Sequence, residues 1–234
     1  MGTQFRLWRN EYDSQFFGQS FFQFALDDKG QPISDLISQA RAEGANHLVG
    51  LLPSSQAEAI EAAQQAGLHL LLPIGDLDCK VEGPCLGEKY RAGGPEDAMA
   101  LAELAGSCFS YSRFNRMKAT KELAGAYHRA WALNCLEGDQ ADEVLLVGDS
   151  VLGGFVGVKA EDDTARIVLL GVASGQRGKG WGLALCRAAL DWSRQKGMNR
   201  LRVRTEADNI PSMSLYCKAG FLPIGHSVYL SISF

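Results

Sequence analysis

An apolar run, Leu169-Leu170-Gly171-Val172, leads into Ser174-Gly175-Gln176-Arg177-Gly178-Lys179-Gly180-Trp181-Gly182, and a helix-forming segment follows at once. Backbone N–H groups at a helix start have no partner inside the helix and carry the positive end of its dipole, so they suit an anion. Glycine lets that backbone approach a ligand with no Cβ between them. The stretch therefore reads as a cradle for a pyrophosphate. No Lys-Ser or Lys-Thr follows the final glycine, as a P-loop would require, and the spacing is not the G-x-G-x-x-G of dinucleotide-binding turns. The glycines alone fit an ordinary tight strand-to-helix turn equally well, so their surroundings must decide.

Such a turn needs a sheet with helices laid on it, and the chain supplies the alternation. Phe21–Leu26 is strand-like, Pro32–Glu43 helical, His47–Leu52 a buried strand, Ser54–Ala66 a helix stopped by Gly67, and Gly75–Val81 a closing strand. Gly83, Pro84 and Gly87, followed by Gly93-Gly94-Pro95, punctuate the chain and place a domain boundary near residue 85. This gives an N-terminal α/β domain over 1–85 and a second domain over 86–234. In the second, Pro95–Cys108 and Lys118–Leu136 read as helices. Glu143–Val147, Gly153–Ala160 and Thr164–Val172 read as an antiparallel meander. The glycine-rich turn opens a helix to about Lys196, then come a strand at Arg200–Thr205, a helix at Pro211–Ala219 and a strand at Ser227–Phe234. Alternation of this kind means an α/β sheet.

Composition narrows the function classes. The chain has 234 residues, 46% of them hydrophobic and 9% aromatic, enough apolar mass for a core and too much for a disordered chain. A net charge of -4 argues against a nucleic-acid partner, which needs a clustered basic footprint. The longest apolar stretches, such as 66–74, fall far short of a membrane span, and Met1–Asn10 is no signal peptide. Six cysteines without a C-x-x-C pair, and four histidines without metal spacing, form neither a disulfide framework nor a metal site. These features lead us to expect a cytoplasmic protein with no metal, no nucleic-acid partner and no membrane partner.

The loop, with R-x-x-G-x-G beginning five residues after Val172, resembles the acetyl-CoA loop of the GNAT N-acetyltransferase superfamily. Some thirty residues on, Asn209-Ile-Pro-Ser-Met-Ser-Leu-Tyr216-Cys-Lys-Ala-Gly220-Phe221 resembles that family's second signature. Seven residues make two helical turns, so Asn209 and Tyr216 share a face. The resemblance covers roughly residues 90–234. It implies a GNAT fold, an α/β architecture with a mixed, splayed central sheet, preceded here by a smaller α/β domain like a degenerate half of the same fold. Acetyl-CoA would lie between Thr164–Val172 and Arg200–Thr205. Leu170, Gly171 and Val172 would meet its thioester and pantetheine arm, beside a bulge near Leu170. Arg177, Gly178, Lys179, Gly180, Trp181, Gly182 and Leu183 would hold the pyrophosphate through main-chain N–H groups, and Asn209 the cofactor arm. Tyr216 would be the general acid, because a phenol (pKa about 10) is protonated at neutral pH and can donate as the thiolate of CoA leaves. Cys217 points about 100° away from Tyr216 and is discarded as a nucleophile. Relatives carry a Glu on the strand before the loop. Ala165–Leu170 has no carboxylate, which points to an acceptor of modest basicity deprotonated through water, with a residue of the N-terminal domain as the alternative helper.

The N-terminal half and the segment Phe109-Ser-Tyr111-Ser-Arg113-Phe114 resemble a smaller group within the superfamily, the TDP-fucosamine acetyltransferases. That resemblance implies a nucleotide sugar as acceptor, through the 4-amino group of a TDP-4-amino-4,6-dideoxyhexose. Tyr111, Arg113, Phe114 and Arg116 would then recognise it, arginine by bidentate phosphate contacts and the aromatic rings by stacking on thymine. The other reading of these residues is a solvated arginine pair with Phe114 anchoring the loop. The alternatives in function are acetylation of another small-molecule or peptide amine, or a non-catalytic acetyl-CoA sensor. A sensor usually loses the loop glycines or the tyrosine, and both are here. A homodimer is left open.

Overall fold

The computed structural model describes residues 3–85, 87, 89–109, 112–117 and 121–234. They form two compact units, one of Met1–Gly75 with Glu206–Asp208 and Gly225–Phe234, the other of Asp76–Thr205 with Asn209–Ile224. The expected boundary near residue 85 is thus corrected to the Gly75–Asp76 junction, and it lies inside a strand. Gly83, Pro84 and Gly87 do lie outside helix and strand, but the strand before them, His69–Lys80, begins in one unit and ends in the other.

In the first unit, β1 (Phe5–Arg9), α1 (Glu11–Phe17), β2 (Phe21–Leu26), α2 (Ile33–Ala42), β3 (His47–Pro53) and α3 (Ala57–Gln65) alternate. β1 and α1 are absent from the sequence reading. Helix α1 exists because Asn10 caps it, accepting from the Asp13 amide at 3.0 Å, and Gly18 ends it at φ 63°. The sheet is mixed. β2 runs antiparallel to β1 and parallel to β3, and β10 (Leu222–Ser233) pairs antiparallel with β3 from Ser227–Pro53 to Ser233–His47. Phe5, Phe24, Leu36, Leu48, Leu52 and Leu230 fill its core. His47 is structural, as its lack of metal spacing suggested, stacked on Phe21 at 4.6 Å, with burial holding its pKa below the usual value.

The second unit begins within β4 (His69–Lys80) and continues through β5 (Arg91–Ala92), a 3₁₀ turn at Pro95–Asp97, α4 (Ala98–Cys108), α5 (Arg113–Arg116) and α6 (Lys121–Leu136). Then come β6 (Glu143–Gly148), β7 (Leu152–Glu161), β8 (Thr164–Val172), α7 (Trp181–Gln195), β9 (Arg200–Glu206) and α8 (Ile210–Lys218). Its strand order is β4-β9-β8-β7-β6-β5, with β6, β7 and β8 an antiparallel meander and β8 parallel to β9. Alternate residues of each strand serve opposite faces. Leu145, Val156, Ile167, Leu201 and Val203 pack under α7 and α8 in one core, while Val144, Leu146, Phe155 and Leu169 pack under α4 and α6 in another. No helix among the described residues is long and apolar enough to cross a membrane.

Arg91 and Asp97 clasp the entry to α4, with both carboxylate oxygens bonded at 2.6 and 2.7 Å and the Gly94 amide donating at 2.9 Å. The Arg91 guanidinium, helped by that amide and opposed by burial, holds the Asp97 carboxyl at about 2. A carboxylate with a depressed folded-state pKa stabilises the fold above its unfolded value of about 3.9, and loses that contribution as pH falls through its folded value. Asp97→Asn should therefore flatten the decline of Tm between about pH 4 and pH 2 relative to the parent protein. Arg91 is more than half exposed, so screening by water keeps the effect small. Parallel melts across that window check it.

Candidate active site

Strands β8 and β9 pair only from Thr164–Arg200 to Ile167–Val203, although β8 runs on to Val172 and β9 to Glu206. The parting has a local cause. Opposite β7, Val158 pairs with Ile167 and Gly157 with Leu169, which leaves Val168 as an extra, bulged residue. A bulge bends its strand and ends regular pairing. It also shifts the phase: Ile167 lies in the α7 core, Val168 and Leu169 both lie against the α4–α6 core, and Leu170 returns to the α7 side. The bulge expected near Leu170 sits two residues earlier. From Val168 onward the β8 edge toward β9 offers backbone groups that β9 does not pair, and an extended ligand with amide groups can use them.

At the end of β8 the Ala173 amide donates to the Gly153 carbonyl at 3.0 Å, a 3₁₀ turn spans Ser174–Gln176, and the chain then enters α7. Gly178 and Gly180 have φ of 78° and 89°, the left-handed region that glycine occupies without strain. A Cβ on either would meet nothing within 4 Å, so the space above them is open. Gly180 is the N-cap of α7 and supplies no capping side chain. The first bond of the helix joins the Ala184 amide to the Gly180 carbonyl, so the amides of Trp181, Gly182 and Leu183 precede the helical ladder, an arrangement that suits an anion.

The side chains of the loop do other work. Gly182 is a packing glycine, since a Cβ there would stand 3.0 Å from Cδ2 of Leu215 on α8. Arg177 turns back, reaching the Cys108 carbonyl at 3.3 Å and the Val172 carbonyl at 3.5 Å, and braces the loop on the end of α4. Lys179 bonds the Gln176 side chain at 3.0 Å. The Trp181 indole packs against the α7 core beside Gly153. Within β8, Leu170 and Val172 pack toward α7, and Gly171 leaves room for Phe155, whose ring would lie 2.7 Å from a Cβ.

Asn209 caps α8, its Oδ1 accepting from the Ser212 amide at 3.3 Å, which leaves the Nδ2 group to donate. Two turns later Tyr216 is buried, its ring 5.6 Å from Phe221, in the core shared by α7 and β9, while neighbouring Cys217 is exposed. The helix thus separates the two side chains as its geometry requires.

Of the residues expected to meet the acceptor, Tyr111 lies outside the described residues. Phe114 departs from that expectation: it is 3% exposed, its ring centroid 4.4 Å from that of Tyr127 and 4.7 Å from the Arg113 guanidinium. Protein occupies that ring, so Phe114 anchors α5 and cannot stack on a base. Arg113 is half-buried and Arg116 exposed. The sequence reading missed an aromatic cluster on α6. His128 stacks on Phe109 at 4.5 Å, and its Nδ1 bonds the Ala124 carbonyl at 2.7 Å. Burial lowers its pKa, with the Ala124 bond opposing and Arg113 assisting. The spacing of Tyr127, His128 and Trp131 along one helix was the available signal.

A splayed parallel strand pair beside an uncapped, glycine-rich helix start is the geometry expected for the acetyl-CoA module, and the family profile described as "Acetyltransferase (GNAT) family" matches residues 100–221. The chain belongs to the GNAT acetyltransferase family. GNAT enzymes use acetyl-CoA as cosubstrate, and the chain is accordingly an acetyl-CoA-dependent N-acetyltransferase. It is 27% identical over 173 residues to the dTDP-fucosamine acetyltransferase of Escherichia coli O6:H1, covering 72% of this chain and 74% of that one. A shorter likeness, 37% over 73 residues, links it to the mycothiol acetyltransferase of Clavibacter michiganensis, over 31% of this chain and 24% of that one. Among solved structures, a GCN5-related N-acetyltransferase from Sphaerobacter thermophilus superposes with a TM-score of 0.66 at 16% identity, over 98% of this chain and 76% of that one. This likeness shows that the GNAT fold extends beyond the family segment.

Proposed function

We propose that this GNAT enzyme acetylates the amino group of a nucleotide-linked sugar, the 4-amino group of a TDP-4-amino-4,6-dideoxyhexose. The observation that carries the reading is the length of the likeness to the E. coli dTDP-fucosamine acetyltransferase: 173 residues, longer than the family segment 100–221, against 73 for the mycothiol enzyme. It reaches beyond the part that any GNAT enzyme shares. Six free thiols fit a reducing compartment, and we place the enzyme in the cytoplasm.

In this reading the amides of Trp181, Gly182 and Leu183, with the open backbone at Gly178 and Gly180, hold the pyrophosphate of acetyl-CoA. The β8 edge at Leu170, Gly171 and Val172 takes the pantetheine arm, and Asn209 donates to it. The amine lone pair attacks the acetyl carbonyl, forming a C–N bond while the carbonyl electrons move to oxygen. A β8 backbone N–H stabilises that oxyanion. Collapse breaks the C–S bond, Tyr216 gives its phenolic proton to the departing sulfur, and the proton of the new ammonium passes to water. β8 carries no carboxylate to act as base, which fits an acceptor amine of modest basicity deprotonated through water.

Arg113 and Arg116 are proposed to contact the acceptor's diphosphate. Charge-assisted bonds to phosphate are worth about 1.5–3 kcal/mol, so Arg113→Ala should raise the sugar KM roughly ten- to a hundredfold and leave the acetyl-CoA KM unmoved. Kinetics with each substrate varied in turn check it, and wild-type values in both Arg113→Ala and Arg116→Ala would remove α5 from the acceptor site. The function itself is tested by CoA release across a panel of nucleotide amino sugars. Turnover confined to amines without a nucleotide would favour the broader small-molecule reading.

A further inference from the structure

Strand β9 carries arginine at every second position, Arg200, Arg202 and Arg204, on the face opposite Leu201 and Val203, which are buried under α7 and α8. Two carboxylates of β4 answer them. Asp78 is buried and bonded through both oxygens to Arg200, and Asp76 bonds Arg204 at 2.6 Å. Arg202 receives much less. Its ion pair among the described residues is a 3.9 Å approach to the Asp78 already engaged by Arg200, and its side chain is 53% exposed.

The register adds a second observation. Arg202 sits directly opposite Arg166 of β8, and Arg166 directly opposite Lys159 of β7, so three cations lie side by side across three strands. Like charges directly opposite on neighbouring strands destabilise a sheet. Glu161 answers Arg166 at 2.7 Å, yet Lys159, Arg166 and Arg202 remain direct cross-strand neighbours of like charge, in a chain whose net charge is -4. A row of repelling cations is what an anionic ligand would relieve.

Position supplies the third. Arg204 follows Val203, the last β9 residue paired with β8, and so stands where the two strands part. In parallel register it corresponds to Val168, two residues before Leu170, about 7 Å along the strand. That is close to the span of one sugar ring between a reacting amine and the phosphate on its far side.

We propose that Arg202 and Arg204 form the anion-binding surface of the acceptor site and receive the sugar-proximal phosphate of a nucleotide sugar. Asp76 and Asp78 hold the arginine row in place. The proposal rests on the nucleotide-sugar reading for the identity of the anion, whereas the arginine face itself rests on register and charge. It adds a second pair of guanidinium groups to those of α5, suited to a ligand with two phosphates.

The probes are TDP and inorganic pyrophosphate, titrated by calorimetry into the enzyme saturated with CoA, so that the acetyl-CoA cradle is filled. Wild-type enzyme should bind TDP, and Arg202→Gln and Arg204→Gln should each weaken it at least tenfold with an unchanged acetyl-CoA KM. TDP should raise the Tm of the wild-type enzyme and not that of Arg202→Gln, whose own Tm without ligand should be equal or higher because a repulsion is gone. Wild-type TDP affinity in both variants would overturn the proposal, as would absence of TDP and pyrophosphate binding to the CoA-loaded enzyme. Pyrophosphate binding that depends on these arginines, with no nucleotide amino sugar acetylated, would leave the anion surface standing and remove the acceptor reading. Acetylation of a TDP-amino-sugar with wild-type KM in both variants would do the reverse.

Discussion

Tyr216→Phe should lose about 10²- to 10⁴-fold in kcat, the usual contribution of a general acid, with acetyl-CoA affinity nearly unchanged. The substitution keeps the ring that packs against Phe221 and the core shared with β9, and removes only the hydroxyl. A fall in kcat with unchanged binding is the signature of an interaction made in the transition state. The pH dependence should report it as well, because the limb assigned to the acid should vanish in the variant. A loss below about tenfold, or a Tm that drops in step with kcat, would make Tyr216 a packing residue.

Gly180→Val should raise the acetyl-CoA KM by about tenfold to a hundredfold, one to two factors of 1.4 kcal/mol. Two effects combine. Gly180 lies at φ 89°, where a side chain costs about 1–2 kcal/mol and a β-branched one more. The new side chain would also fill the open space above the amides proposed to hold the pyrophosphate. Gly197, at the far end of α7 with φ 73° and open space around it, provides a control carrying a similar backbone penalty. Gly197→Val should lower Tm and leave the acetyl-CoA KM in place. Equal KM values in the two variants would show that strain in α7 is the whole effect and that the cradle is elsewhere. Gly182 is a poorer probe, since a Cβ there strikes Leu215 and disturbs the contact between α7 and α8.

Much of this arrangement is legible from the sequence because its signals are local. Strand β2 falls on the aromatic-rich run Phe21–Leu26 and β8 on Thr164–Val172, and Gly197 and Gly220 mark where α7 and α8 end. Features that depend on partners distant in the chain were lost. β4 begins at His69 instead of Gly75, and β10 at Leu222 instead of Ser227, because the extra residues form strand by pairing and carry little pattern of their own. The same holds at the site. Glycine spacing marks the proposed cradle, but only the structure assigns Gly182 to packing and turns Arg177 back onto Cys108. Phe114 looked like a stacking surface because an aromatic residue between two arginines has the right chemistry, and a burial of 97% is invisible in that pattern. The β9 arginines form no part of the sequence reading, which gives Arg200–Thr205 only as a strand, because their carboxylate partners Asp76 and Asp78 stand more than a hundred residues away in the chain.

The second edge of β3 in the N-terminal unit is paired by β10, whose residues Ser227–Ser233 meet His47–Pro53. On the ribosome, β3 therefore emerges long before its partner, and the first unit must wait with an unpaired edge until nearly all of the acetyltransferase unit has been made. The acetyltransferase unit, by contrast, lacks only α8 and the start of β10 when β9 appears. Vectorial synthesis thus reverses the order of the chain: the segment translated first is the last to be completed, and a ribosome that stalls late should release chains whose catalytic half is nearly whole and whose leading half is still open.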